Sequence, residues 1–215
     1  MNTRPVTFPS ENCTLEGEWL FPDGKGPFPA VVVSHPFPPG GGTMHNKVVA
    51  SIWYALVEHS IAAFRFNFRG VEGSQGEFAE GIGEYKDVRA AFEYVLTEKK
   101  IDLKRVGLAG YSFGAMMSAP AAIRESRVQS LALISAPLSD DQWNKLDEYK
   151  NPYLAIIGEN DQMVSPDAFL KRLDNPPGAG VFRLIPRADH FLAGYEEQVG
   201  EMVAGFFEGV FASGK

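Results

Sequence analysis

The sequence predicts an α/β fold: a mostly parallel sheet of about eight strands with helices on both faces. Short runs rich in β-branched and aromatic residues, apolar at both alternating positions, recur along the chain. Strands buried on both faces of a parallel sheet have that character. Segments of helical periodicity separate these runs, so the chain reads as repeated βα units. Ahead of them lie two segments that alternate polar with apolar, which suits a pair of antiparallel strands with one solvated face.

In order, the alternating pair is Arg4–Phe8 and Thr14–Leu20. The buried strands are Ala30–Ser34, Ile61–Phe68, Val106–Ala109, Leu131–Ser135, Tyr153–Ile157 and Val181–Ile185. One helix carries Val48, Val49, Ile52, Trp53 and Leu56 on its apolar stripe, the next Tyr85, Val88, Phe92, Val95 and Leu96, and the last Val199, Met202, Val203, Phe206 and Val210. "FGAMMSA" starts another helix, and Pro120 predicts a kink or an early end, because proline removes a hydrogen bond to the preceding turn. Between "LALIS" and "YLAII" only Ala136 to Pro152 intervene, enough for one short helix around Trp143 and Leu146.

With 215 residues and 45% hydrophobic content, the chain is expected to form a single domain over 1–215. A net charge of -7 gives no electrostatic attraction to phosphate backbones or anionic lipid, so neither nucleic acid nor membrane is expected as a partner. Cys13 is the only cysteine, which excludes an internal disulfide and any cysteine-based zinc or iron–sulfur site. The start, "MNTRPVTFPSEN", has no apolar run, and the expectation is a cytoplasmic protein.

Ligands of such sheets gather outside the carboxyl ends of the strands, so reactive side chains should follow strands. Ser112 does. It sits in Gly110-Tyr111-Ser112-Phe113-Gly114, between the strand candidate "RVGLAG" and the helix candidate "FGAMMSA". A nucleophile held on a sharp strand-to-helix turn needs small neighbours where strand and helix approach, which is what both glycines supply.

A serine hydroxyl needs a base to take its proton, and that base needs an orienting carboxylate. His190, in "LIPRADHFLAG", follows the last strand. Asp161, in "YLAIIGENDQMVSP", follows the preceding one; Asp140, Asp141 and Glu159 are rivals, while Asp189 is discounted as the chain neighbour of His190. His59 reads as a surface residue. His35 and His45 flank "HPFPPGGGTMH", where they can support the loop, and no metal or organic cofactor is expected. The order Ser112, Asp161, His190 is the chain order associated with nucleophile elbows.

These residues resemble the α/β-hydrolase superfamily over nearly the whole chain. The elbow, the acid loop and "ADHF" match its nucleophile, acid and base positions, and "FNFRGVEGSQGEF" is similar to its Arg-Gly-x-x-x-Ser loop. "HPFPPGGGTMHNKVV" resembles a segment of small, lidless hydrolases related to the dienelactone hydrolase group, which often carries a second histidine where this chain has Phe37. Dienelactone hydrolases use cysteine as nucleophile; serine here shifts the expectation toward ordinary esters. The resemblance implies an oxyanion hole from the backbone N–H groups of Phe113 and of Phe37, since Pro36, Pro38 and Pro39 have none. Arg69 and Gly70 are expected to brace their loop rather than clamp an anion.

The expected activity is hydrolysis of small carboxylic esters, with Phe37, Phe113, Met163 and Phe191 lining a shallow apolar depression. The same residues would serve a thioesterase or an amidase, and the fold also hosts non-catalytic proteins that bind small ligands.

Overall fold

A computed structural model describes residues 3–213 except 165, 175 and 177. The strands are β1 (Thr3–Ser10), β2 (Cys13–Leu20), β3 (Phe28–Ser34), β4 (Ala62–Phe66), β5 (Ile101–Tyr111), β6 (Ser130–Ile134), β7 (Tyr153–Gly158) and β8 (Gly180–Ile185). The helices are α1 (Lys47–Glu58), α2 (Ile82–Leu96), α3 (Phe113–Arg124), α4 (Asp140–Asp147), α5 (Pro166–Asp174) and α6 (Glu196–Ser213).

One eight-stranded sheet runs in the order β1-β2-β4-β3-β5-β6-β7-β8. β1 pairs antiparallel with β2, and β2 antiparallel with β4; from β4 through β8 every pairing is parallel. This is the predicted architecture, with the alternating segments at one edge. Period-2 alternation splits the strands between two cores. Val31, Val33 and Ala63 pack with Val49 and Ile52 of α1 and with Val203 and Phe207 of α6. Val32, Phe64 and Leu108 face the other way, toward Val88 and Phe92 of α2, Ala115 of α3 and Trp143 of α4.

Three local features depart from the sequence reading. β5 starts at Ile101 rather than Val106, because its polar first half pairs only through Ile101 opposite Phe28, across a register shift. α3 continues past Pro120 to Arg124. α5 had no counterpart in the sequence reading, although its Phe169 is buried between Trp143 and Phe182.

The β6–β7 connection holds only α4, whose first turn is closed by a reciprocal Ser139–Gln142 capping box and whose Trp143 and Leu146 are buried. No cap domain is inserted there. The connection from β3 through α1 reaches β4 on one side; α2 then returns across β3 to β5. The carboxyl ends of β3 and β5 therefore flank the point where the strand order reverses, the crevice in which such sheets bind ligands.

Candidate active site

Ser112 stands between the end of β5 and the start of α3 with φ 53° and ψ -115°, a conformation costing about 1–3 kcal/mol in a non-glycine residue. The surroundings enforce it. Its N–H donates to Ile134 O of β6 at 2.8 Å, and its C=O accepts from Met116 N–H in the first turn of α3. A Cβ on Gly110 would lie 2.4 Å from Gly114 O, and one on Gly114 would lie 2.3 Å from Ser34 O. The two glycines let the strand, the turn and β3 approach one another, as their spacing predicted.

Ser112 Oγ lies 2.9 Å from His190 Nε2, and His190 Nδ1 lies 3.0 and 2.9 Å from the two oxygens of Asp161. All three side chains are buried. A carboxylate only accepts, so Nδ1 carries the proton and Nε2 offers its lone pair to the serine hydroxyl. Burial pushes the Asp161 carboxyl up. The hydrogen bond from His190 and those from the Met163 and Val164 amides outweigh burial and hold it below the ordinary value.

His190 is fixed from behind as well. Tyr111 Oη donates to the His190 carbonyl at 3.0 Å, and the Asp189 carboxylate accepts from the Phe191 and Leu192 amides to shape the turn. Burial, then the charges of Asp161, Asp189 and Glu196, raise the Tyr111 hydroxyl far above its usual range, so it remains a donor.

The loop after β3 folds back on Phe37, whose carbonyl accepts from both Gly40 and Gly42. Pro38–Gly40 forms a short 3-10 turn there. Neither the Phe37 nor the Phe113 amide has an acceptor among the described residues. Beneath the loop His35 is fully buried: Nδ1–H donates to Pro36 O at 2.7 Å and Nε2 accepts from Phe68 N–H at 3.0 Å. Burial drops its pKa to about 4, so the ring is neutral and both nitrogens are engaged.

A cleft of about 360 Å³ opens beside Ser112, lined by Phe37, Phe113 and Met163 as read from the sequence, and also by Phe78, Glu80, Met116 and Pro137. Phe37, Phe78 and Phe113 meet edge to face or tilted, with centroids 5.4–5.8 Å apart. Phe191 is placed elsewhere. It is exposed and stands edge-on against the His190 ring, outside the cleft lining. The missed residues come from three separate segments: Phe78 ends the Arg-Gly loop motif and Met116 sits in the first turn of the helix after the elbow, whereas Glu80 and Pro137 fall in no motif. Arg69 is not part of the cleft lining: it grips Asp87 with Nε and Nη2 at 3.0 and 2.7 Å.

A strained serine, a histidine and an aspartate converging from three strand ends of this sheet define a serine-hydrolase-like fold. Residues 37–149 match the family model described as alpha/beta hydrolase fold, and the chain belongs to that family. An uncharacterized protein of Rickettsia prowazekii is 33% identical over 176 residues, covering 76% of this chain and 71% of the relative. Among solved structures, an alpha-beta serine hydrolase homologue from Coxiella burnetii superposes with TM-score 0.83 at 29% identity, over 95% of this chain and 97% of the other. A serine hydrolase without lid from Xanthomonas campestris gives TM-score 0.81 at 29% identity, over 95% and 93%. No helix among the described residues is long and apolar enough to cross a membrane.

Proposed function

We propose that this protein is a serine esterase that cleaves small carboxylic esters through an acyl-enzyme. The observation that carries the reading is the unbroken relay from Ser112 Oγ through His190 to Asp161, on a strained elbow beside an apolar cleft. Ser112 Oγ attacks the ester carbonyl carbon while its proton passes to His190 Nε2. The carbonyl oxygen becomes an anion, held by the amides of Phe37 and Phe113. Collapse breaks the C–O bond to the alcohol, which leaves with the proton from His190. Water then attacks the acyl-serine with the same base and restores the hydroxyl. Asp161 keeps the imidazole in the productive tautomer and stabilises its charged form.

The segment "HPFPPGGGTMHNKVV" supports placing the chain with the small hydrolases related to the dienelactone hydrolase group, with serine in place of their cysteine. A fluorophosphonate probe should label Ser112 stoichiometrically, and Ser112→Ala should abolish both labelling and turnover of p-nitrophenyl butyrate. Retention of more than about a thousandth of wild-type kcat/KM by a folded Ser112→Ala protein would refute the assignment.

A further inference from the structure

Resting on the esterase reading, we infer that the cleft selects esters carrying an organic ammonium group, with Glu80 as the specificity-determining residue. Glu80 is the one charged side chain lining the cleft among the described residues. It is exposed, and its carboxylate has no hydrogen-bond or ion-pair partner among them. The backbone there is held at a cost. Glu80 adopts φ 53°, and the cost falls on it alone, since Gly81 takes its φ of 90° freely. The fully buried Glu84 carboxylate accepts from the amides on either side of Glu80, Ala79 N–H at 2.7 Å and Gly81 N–H at 2.8 Å. A buried carboxylate is thus used to fix a strained turn whose middle residue is left free at the cleft rim, and strain of this kind collects at ligand sites.

The walls point to the same ligand. Phe37, Phe78 and Phe113 present aromatic rings, and aromatic faces attract ammonium groups, most strongly when water is excluded. A carboxylate at the rim of an aromatic cleft favours a cation over a neutral group of equal size and disfavours an anion. The Asp161 carboxylate behind Ser112 is already committed to His190. The net charge of -7 adds a long-range attraction of the same sign.

Paired isosteres test the inference. Butyrylcholine and 3,3-dimethylbutyl butyrate differ by nitrogen for carbon in the alcohol. The p-nitrophenyl esters of 4-(trimethylammonio)butyric and 5,5-dimethylhexanoic acids differ the same way in the acyl group. The wild-type protein should favour the cationic member of at least one pair by about fivefold in kcat/KM, the upper range for an exposed ion pair. That pair identifies which side of the ester enters the cleft. Glu80→Gln should bring the ratio close to one and Glu80→Lys should invert it; because each ratio is taken within one variant, a general change in activity cancels. The wild-type preference should also shrink in 1 M salt. Ser112-dependent turnover with no cation preference in either pair, or with a preference that survives Glu80→Gln, overturns the inference and leaves the esterase reading standing. Absence of Ser112-dependent turnover of all four esters overturns both.

Discussion

Asp161 shows at the scale of one residue what spacing can and cannot tell. Five carboxylates follow the last strands or neighbour His190, and chain position ranks them without showing where they point. In the structure Glu159 accepts from Arg187 N–H, Asp189 caps its own turn, and Asp141 pairs with Lys145 on the exposed side of α4. Asp161 alone of them reaches His190 Nδ1. Asp161→Asn should therefore lower kcat by about 10⁴, as loss of the orienting carboxylate does in the best-known triad, while Asp140→Asn and Asp141→Asn stay within a factor of two of wild type. An inactive Asp140→Asn or Asp141→Asn protein beside an active Asp161→Asn protein would move the acid to the previous strand end. His35 carries a second prediction. Its pKa falls from 6.5 to about 4 on folding, so between those values the unfolded chain binds the extra proton. The stabilisation is complete above about pH 6.5 and is lost as pH falls toward 4, a change on the order of 3 kcal/mol. Urea unfolding of wild type and His35→Gln at pH 7.5 and 4.5 should show a much shallower acid loss in the variant; parallel losses would mean that His35 is protonated in the folded protein.

Between elements, the legible features were those that a single segment specifies. Alternation marked β1 and β2, and the Gly-x-Ser-x-Gly turn marked the junction of β5 and α3, because each pattern is local. The polar start of β5 and the continuation of α3 through Pro120 depend on neighbouring segments, and no local pattern records that support. The same holds for Arg69, whose bidentate grip on Asp87 joins the loop after β4 to α2 and is shared with Ser10 of β1. The α1–α6 contact contains a further element-scale device. His59, at the C-terminal end of α1, has Nδ1 2.8 Å from Glu208 and Nε2 3.2 Å from Glu201, both on α6. Carboxylates accept only, so both ring nitrogens are protonated and the imidazolium also complements the helix dipole. Burial works against the charge, but the two glutamates outweigh it and raise the pKa above 6.5. The clamp is therefore complete below that value and is lost as pH rises through the raised folded pKa. Melting temperature measured from pH 6 to 9 should fall more in wild type than in His59→Gln, and identical slopes would show that the clamp contributes nothing to stability.

For the molecule as a whole, the order of strands brings Ser112, Asp161 and His190 together, and the short β6–β7 connection decides what can reach them. α4 spans Asp140–Asp147, eight residues, with Trp143 and Leu146 committed to the core, so the connection lends Pro137 to the cleft wall and leaves no helix to fold over it. A cap that folds as its own unit needs on the order of 40 residues. The cleft that remains, about 360 Å³, sits near the bottom of the range of roughly 300–1,000 Å³ typical of small-ligand sites. It is walled by Phe37, Phe78, Phe113, Met116, Pro137 and Met163 on the Ser112 side and open elsewhere. A short acyl chain can be covered by these side chains. A longer one projects into water, and each methylene left there forgoes about 0.8 kcal/mol of transfer free energy, close to fourfold in kcat/KM. Among p-nitrophenyl esters of two to sixteen carbons, kcat/KM should therefore peak between acetyl and butyryl and decline by octanoyl. With no lid to displace, activity on tributyrin should rise smoothly through its solubility limit, without the jump that interfacial opening produces. An optimum at ten carbons or more, or a jump at the emulsion threshold, would require a covered acyl tunnel, which the α4 connection is too short to build.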